Sequence, residues 1–314
     1  MNENTIPEQD FIEIFEKNGP HETARILGIT VRNVFKRRTN IEKHRGVSIR
    51  GPRNRTARIL KYSHRLELSI LNGNVLIGSD AHYWPGDAST AHRAFVYFCK
   101  KIKPSCVIMN GDVLDATSIS RFLPIGWEKR PPLVGEIETA KARLAEIKKA
   151  SPLASRKIWT LGNHDSRFET RLASVAPEYA NIHGIHLKDH FPDWEPCWSV
   201  WINDEVVIKH RFRGGIHATH NNVLWSGKTT ITGHLHSLHV RPFTDYNGTR
   251  FGVDGGCIAA TDHTAFVGYT EDNPKNWRSG FIVLTFNEGR LLWPEVVHVL
   301  DEKHVEFRGD IYDV

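Results

Sequence analysis

Residues 75–82 read VLIGSDAH, residues 106–115 read CVIMNGDVLD and residues 157–165 read KIWTLGNHD. Each is a short apolar run that ends in a polar cluster. Two more follow, VVIKH at 206–210 and TTITGHLH at 229–236. Short apolar runs closed by Gly or Asp read as buried strands. Between them, residues 131–150 read as a helix with Val134, Ile137, Leu144 and Ile147 on one face, and 88–101 read as another. Strands alternating with helices give an α/β fold, in which ligands gather beyond the carboxyl ends of the strands. Just upstream, RLELSI, NGN and VLIGSD read as a hairpin around Asn72-Gly73.

The polar clusters carry metal chemistry. Side chains repeat every second residue along a strand, so Asp80 and His82 fall on one side and can share an ion. His234 and His236 have the same spacing, and a twist at the strand end can split them between two ions. The other clusters hold Asp112 and Asp115, Asn163, His164 and Asp165, and the lone His210. Gly111, Gly162 and Gly233 precede ligands and allow sharp turns and close backbone approach. Eighteen histidines in 314 residues supply nitrogen donors. The four cysteines, Cys99, Cys106, Cys197 and Cys257, form no CxxC, which excludes a thiolate zinc motif and a disulfide framework.

The order Asp-x-His, Gly-Asp-x-x-Asp, Gly-Asn-His-Asp, a lone His and Gly-His-x-His resembles the calcineurin-like metallophosphoesterase superfamily, over roughly residues 70–260. The resemblance implies a two-sheet β-sandwich flanked by helices, with two divalent metal ions at its rim. By position, it implies that Asp80, His82 and His236 hold one ion, that Asn163, His210 and His234 hold the other, and that Asp112 bridges them. It implies that His164 assists the leaving group and that Asp165 orients His164. Manganese is the first candidate, with iron, zinc or magnesium as alternatives. Such a pair of ions shares a water, lowers its pKa and directs the hydroxide in line at phosphorus. Protein Ser/Thr phosphatases of this superfamily usually carry Arg after the second motif; Ala116 stands there in this chain. The start of the chain and the phrase SDAHYWPG resemble phage-encoded members described as similar to DNA-repair exonucleases.

That start is basic. Residues 1–61 hold 13 Lys/Arg against 7 Asp/Glu, a net +6, whereas the remainder holds 28 against 29. Residues 8–19 read as an amphipathic helix with Phe11, Ile14 and Phe15 inward, closed by Gly19. Residues 21–38 read as helix, turn at Gly28, cap at Thr30 and second helix, with Ala24, Leu27, Val31, Val34 and Phe35 inward. This resembles a helix-turn-helix whose second helix would offer Arg32, Asn33, Lys36, Arg37 and Arg38 to DNA. The division expected is a nucleic-acid-binding module over 1–45, a basic linker over 46–57 and the phosphoesterase domain over 58–314.

Further candidates are Arg167 and Arg171, four apart on a helical segment, as phosphate clamps. Phe191, Trp194, Trp198 and Trp201 form an aromatic group read as packing rather than a base platform, and Tyr269 with NPKNWRSGF is a candidate rim. No apolar run approaches the roughly 18 residues that span a bilayer, and no signal peptide is evident. The expected location is the cytoplasm, that of the host for a phage-encoded chain. The expected activity is phosphodiester hydrolysis in DNA. The alternative is a phosphomonoesterase or small-nucleotide phosphodiesterase with a structural N-terminus, and the third reading is a DNA-binding regulator without catalysis.

Overall fold

The structure is a computed structural model that describes residues 6–45, 49, 51, 62–122, 127, 129–261, 273 and 275–314. The chain divides into two compact units, Met1–Lys61 and Tyr62–Val314.

In the first unit, the helix Glu8–Leu27 is broken at Gly19 (φ 75°, ψ 176°), ahead of Pro20. Gly28 takes a left-handed conformation (φ 64°), and the Thr30 hydroxyl accepts the Asn33 N–H at 3.2 Å to start the helix Val31–Arg45. Phe11, Phe15, Ala24, Val34, Ile41 and Ile49 form the core. Phe35 departs from expectation and is 42% exposed. So small a core takes only one stripe of the second helix, Val34 and Ile41 seven residues apart. Of the expected linker, Ile49 and Gly51 are described. Ile49 is buried in this core and its N–H donates to Glu42 at 2.9 Å. The rest of 46–57 lies outside the described residues.

The second unit is built on strands β1 (Leu66–Leu68), β2 (Gly73–Gly78), β3 (Cys106–Asn110), β4 (Arg156–Thr160), β5 (Glu195–Cys197), β6 (Val200–Ile202), β7 (Val206–Ile208), β8 (Thr229–Thr232), β9 (His239–Asp245), β10 (Gly248–Asp254), β11 (Gly280–Asn287), β12 (Arg290–Leu291), β13 (Glu295–Val299), β14 (His304–Phe307) and β15 (Asp310–Asp313). One sheet runs β15-β14-β13-β11-β2-β3-β4-β5 with β12 beside β11, and the other runs β1-β6-β7-β8-β10-β9. Neighbours from β2 to β5 are parallel, as are β7, β8 and β10.

The apolar runs are continuous because both faces of the larger sheet are covered. Leu76, Val107, Met109 and Trp159 point to the helix side, where they pack with Phe95, Phe98, Leu144 and Ile147. Val75, Ile77, Ile108 and Ile158 alternate with them and meet Val200, Ile208, Ile231 and Val253 of the other sheet. The result is a sandwich with helices outside. The Ser89 hydroxyl accepts the His92 N–H and begins the helix Thr90–Ile102.

Two expectations fail here. The hairpin around Asn72-Gly73 does not form: β1 pairs in parallel with β6, while both edges of β2 are taken by β3 and β11. In the helix Leu133–Ala150, Ile137, Leu144 and Ile147 are buried, but Val134 is 65% exposed. At that first turn the inward position belongs to Glu136, whose carboxylate accepts the Ala116 N–H. Among the described residues, no helix is long and apolar enough to cross a membrane.

Candidate metal centre

Five strand ends of the second unit supply the site. Asp80 and His82 follow β2, Asp112 follows β3, Asn163 follows β4, His210 follows β7, and His234 and His236 follow β8. Both sheets therefore contribute. The loops after β2 and β3 go on pairing beyond the strands, with Asp80 N–H on Gly111 O at 3.0 Å and His82 N–H on Asp112 O at 2.9 Å. Two neighbouring groups of donors result. Asp80, His82 and His236 form one, and Asp112, His210 and His234 the other, with ligand atoms within 4.8 Å in each. His236 Nε2 lies 3.0 Å from Asp80 Oδ1, and His210 Nε2 lies 3.0 Å from Asp112 Oδ2 and 3.9 Å from Asp80 Oδ1. His210 Nδ1 faces the Asn110 carbonyl at 2.8 Å, which turns Nε2 toward the carboxylates.

The backbone is bent to achieve this. Asp80, His82, Asp112, His234 and His236 all have positive φ, between 41° and 74°. Each such non-glycine residue costs on the order of 1 kcal/mol. Gly111 (φ 80°) and Gly162 are required for a second reason. A Cβ on Gly111 would lie 2.3 Å from His210 Nδ1, and one on Gly162 would lie 2.0 Å from Asp112 Oδ1.

The electrostatics are those of acid facing base. Burial raises the Asp112 carboxyl, but His210, joined by His164 and His82, holds the group well below the usual carboxylate range. Burial likewise opposes charge on His210, yet Asp112 and Asp80 lift it to about 9. His234 goes the other way, to about 4, through partial burial of its ring and the neighbouring His210. The Asn163 Oδ1 atom is buried without a hydrogen-bond partner among the described residues. Such an orphan costs 1–3 kcal/mol in the absence of a ligand, on the order of a lost hydrogen bond. With carboxylate, imidazole and amide oxygen donors in two adjacent groups, these residues fit two divalent cations.

A family model described as calcineurin-like phosphoesterase matches residues 73–255. The chain belongs to the calcineurin-like phosphoesterase family. Solved structures similar to this phosphoesterase include wild-type Vps29 complexed with Zn+2 from Entamoeba histolytica, at 15% identity over 76% of this chain and 98% of that one, TM-score 0.40. A novel archaeal phosphodiesterase matches at 16% identity over 71% and 99%, TM-score 0.36. Pseudomonas putida nuclease MPE matches at 14% identity over 70% and 86%, TM-score 0.30. A comparison with curated proteins found no match.

Around the ligands of the phosphoesterase, one expected role is reassigned. Asp165 does not orient His164. Its carboxylate is fully buried and accepts the N–H groups of Asp112, Val113, Leu114 and Gly162 at 2.8–3.1 Å and the Trp159 indole N–H at 3.0 Å. It shapes the loop that carries Asp112. The partner of His164 is Asp115, whose Oδ1 lies 2.7 Å from His164 Nδ1 and 3.3 Å from His82 Nδ1. Burial works against the Asp115 charge, but the hydrogen bonds from both rings hold its carboxyl far down. The second acid of Gly-Asp-x-x-Asp was the signal for this role. The resemblance carried the role to Asp165 instead.

Arg167 reaches the site: it donates to Asp115 O at 2.9 Å and lies 3.1 Å from His164 Nε2. Arg171 is exposed one turn further along the helix Asp165–Val175. The aromatic group is dispersed. Phe191 packs on Trp159 at 5.0 Å, Trp194 is buried in the core, and Trp201 stacks under Arg65 at 3.6 Å. Of the expected rim, Trp277 packs edge-on against His236 at 4.6 Å, and Tyr269 lies outside the described residues. In the N-terminal unit, Arg37 donates to the Ile6 carbonyl and covers the Phe11 ring, and Arg38 lies over Phe15 and Phe35 and pairs with Glu42. Both guanidiniums thus serve their own unit. Arg32 and Lys36 are exposed, with Asn33 half-buried between them.

Proposed function

We propose that this phosphoesterase hydrolyses phosphodiester bonds in DNA with two divalent cations, manganese first among them. The observation that carries the reading is the pair of adjacent ligand groups, Asp80, His82 and His236 beside Asp112, His210 and His234, with His210 Nε2 3.9 Å from Asp80 Oδ1. Asp80, His82 and His236 would hold one cation, and Asn163, His210 and His234 the other. Bound there, divalent ions lower the pKa of water and neutralise phosphate oxygens.

The remaining work falls to the chain's own residues. Asp115 fixes His164 through Nδ1, and Nε2, 3.9 Å from Asp112 Oδ2, would give a proton to the leaving oxygen once Arg167, which donates to it here, turns to the substrate phosphate. Arg167 sets a guanidinium beside that nitrogen, where an anionic substrate meets it. Arg171 extends positive charge along the same helix. The N-terminal unit would bring DNA through Arg32, Asn33 and Lys36, with the cytoplasm as the place of action. Ala116 after the Gly-Asp-x-x-Asp block supports a substrate other than a phosphoprotein.

The test compares bis-p-nitrophenyl phosphate with p-nitrophenyl phosphate in manganese, then end-labelled single- and double-stranded DNA. Faster cleavage of the diester and shortened DNA are expected. Preference for the monoester with intact DNA would favour the phosphomonoesterase alternative.

A further inference from the structure

Residues 206–244 contain no Asp or Glu, yet hold five Lys/Arg and six His, among them the ligands His210, His234 and His236. Their centre is a seven-residue exposed loop, 211–217, that leaves the site directly after His210 and runs into the helix Ala218–Ser226. The loop is tied to that helix: Arg213 N–H donates to Asn222 Oδ1 at 2.9 Å. Large apolar groups stand in water here, with Trp225 67%, Leu224 50% and Phe212 41% exposed. Cations lie over the rings. The Arg213 guanidinium is 4.0 Å from the Trp225 ring centre, and Lys209 Nζ is 4.9 Å from that of Phe212.

We propose that this loop and helix form a strand-binding surface of the phosphoesterase unit itself, which takes single-stranded nucleic acid. The inference rests on the diesterase reading above and names the form of substrate that the site accepts. Rings interleaved with cations are what an unpaired strand requires: bases stack on Phe212 and Trp225 whatever their sequence, while Arg211 and Arg213 track the phosphates. A protein partner would leave the lack of any acid over 39 residues unaccounted for, whereas a polyanion uses it. Because Arg211 adjoins His210, a strand lying on this surface is led to the ligands.

The experiment uses the full chain in EDTA, so that binding is read without turnover, with a fluorescein-labelled oligothymidylate of about 15 nucleotides followed by anisotropy. Replacing both rings (Phe212→Ala with Trp225→Ala) should weaken binding at least about 30-fold. Arg211→Ala with Arg213→Ala should flatten the slope of log K against log salt by about 1.4. An oligonucleotide carrying 5-iododeoxyuridine should cross-link, on irradiation, within residues 211–225. Hydrolysis of bis-p-nitrophenyl phosphate by the Phe212/Trp225 variant should stay within twofold of the parent, which also shows that it folds. Unchanged affinity in that variant, cross-links only outside 211–225, or no binding of the single strand would overturn the proposal. If the parent binds the strand as described but hydrolyses no diester in manganese, the diesterase reading fails and this surface stands.

Discussion

At the site, the residues are held in conformations that their side chains disfavour. Five ligand candidates sit at positive φ, and each is fixed there by contacts to another loop. The His234 N–H, for example, donates to Asp80 Oδ2 at 2.9 Å, and the His164 N–H to Asp112 Oδ1 at 2.8 Å. Such strain persists only where the surroundings over-determine it. Gly162 shows how little room is left. The Gly162→Ala variant puts a carbon where Asp112 Oδ1 lies, so it should bind less than one manganese per chain by elemental analysis and lose at least about 100-fold in turnover. His164 is a different case, since it is not a ligand in this reading. His164→Ala should keep its metal and lose on the order of 10²–10⁴ in kcat. The loss should be largest for poor leaving groups; equal activity on them would remove the proton-donor role. Asp115→Asn should lower kcat with KM nearly unchanged, because Asp115 acts through His164.

Among the elements, the loop after β3 is the one on which the others depend. Asp165, at the start of the helix Asp165–Val175, accepts five N–H groups, three of them from residues 112–114. Asp165→Ala leaves those donors buried and unpaired, and should destabilise the unit by about 3–5 kcal/mol in chemical denaturation. The far end of that loop rests on Glu136, whose pKa burial raises to about 7. A carboxyl raised in the fold contributes stability below its unfolded pKa of about 4.5 and loses it as pH rises through about 7. Glu136→Gln keeps an acceptor for the Ala116 N–H and cannot ionise. Its Tm should match the parent near pH 4.5 and exceed it by roughly 7 °C or more at pH 8; an equal offset at both would contradict the assignment. The strands, and the candidate ligands that the structure gathers at their ends, were readable because each is a local pattern, an apolar run and then its donors. What the loop does was not readable, because Asp165 acts 51 to 53 residues back along the chain. The β1 misreading has the same origin. Its partner β6 lies more than 130 residues away, and nothing near Asn72-Gly73 encodes that pairing. Phe35 and Val134 went astray for a simpler reason: helical periodicity marks a stripe but not where the covering core ends.

For the whole molecule, the sandwich matters because neither sheet could build the site alone. β2, β3 and β4 bring the carboxylates and Asn163, and β7 and β8 of the other sheet bring three of the four candidate histidine ligands. Packing of Val75, Ile77 and Ile108 against Ile208 and Ile231 holds the two sets in register. The N-terminal unit has a core of its own, and deleting residues 1–61 should leave manganese-dependent diester hydrolysis within about twofold while weakening the affinity for duplex DNA and its salt dependence. In the proposed reading, catalysis turns on two cations that would share the Asp112 carboxylate. Crystals grown with manganese, measured at the metal's absorption edge, test this most directly. The anomalous map should show two peaks per chain, one on each side of the Asp112 carboxylate. A single peak, or two peaks of which only one touches Asp112, would contradict the account.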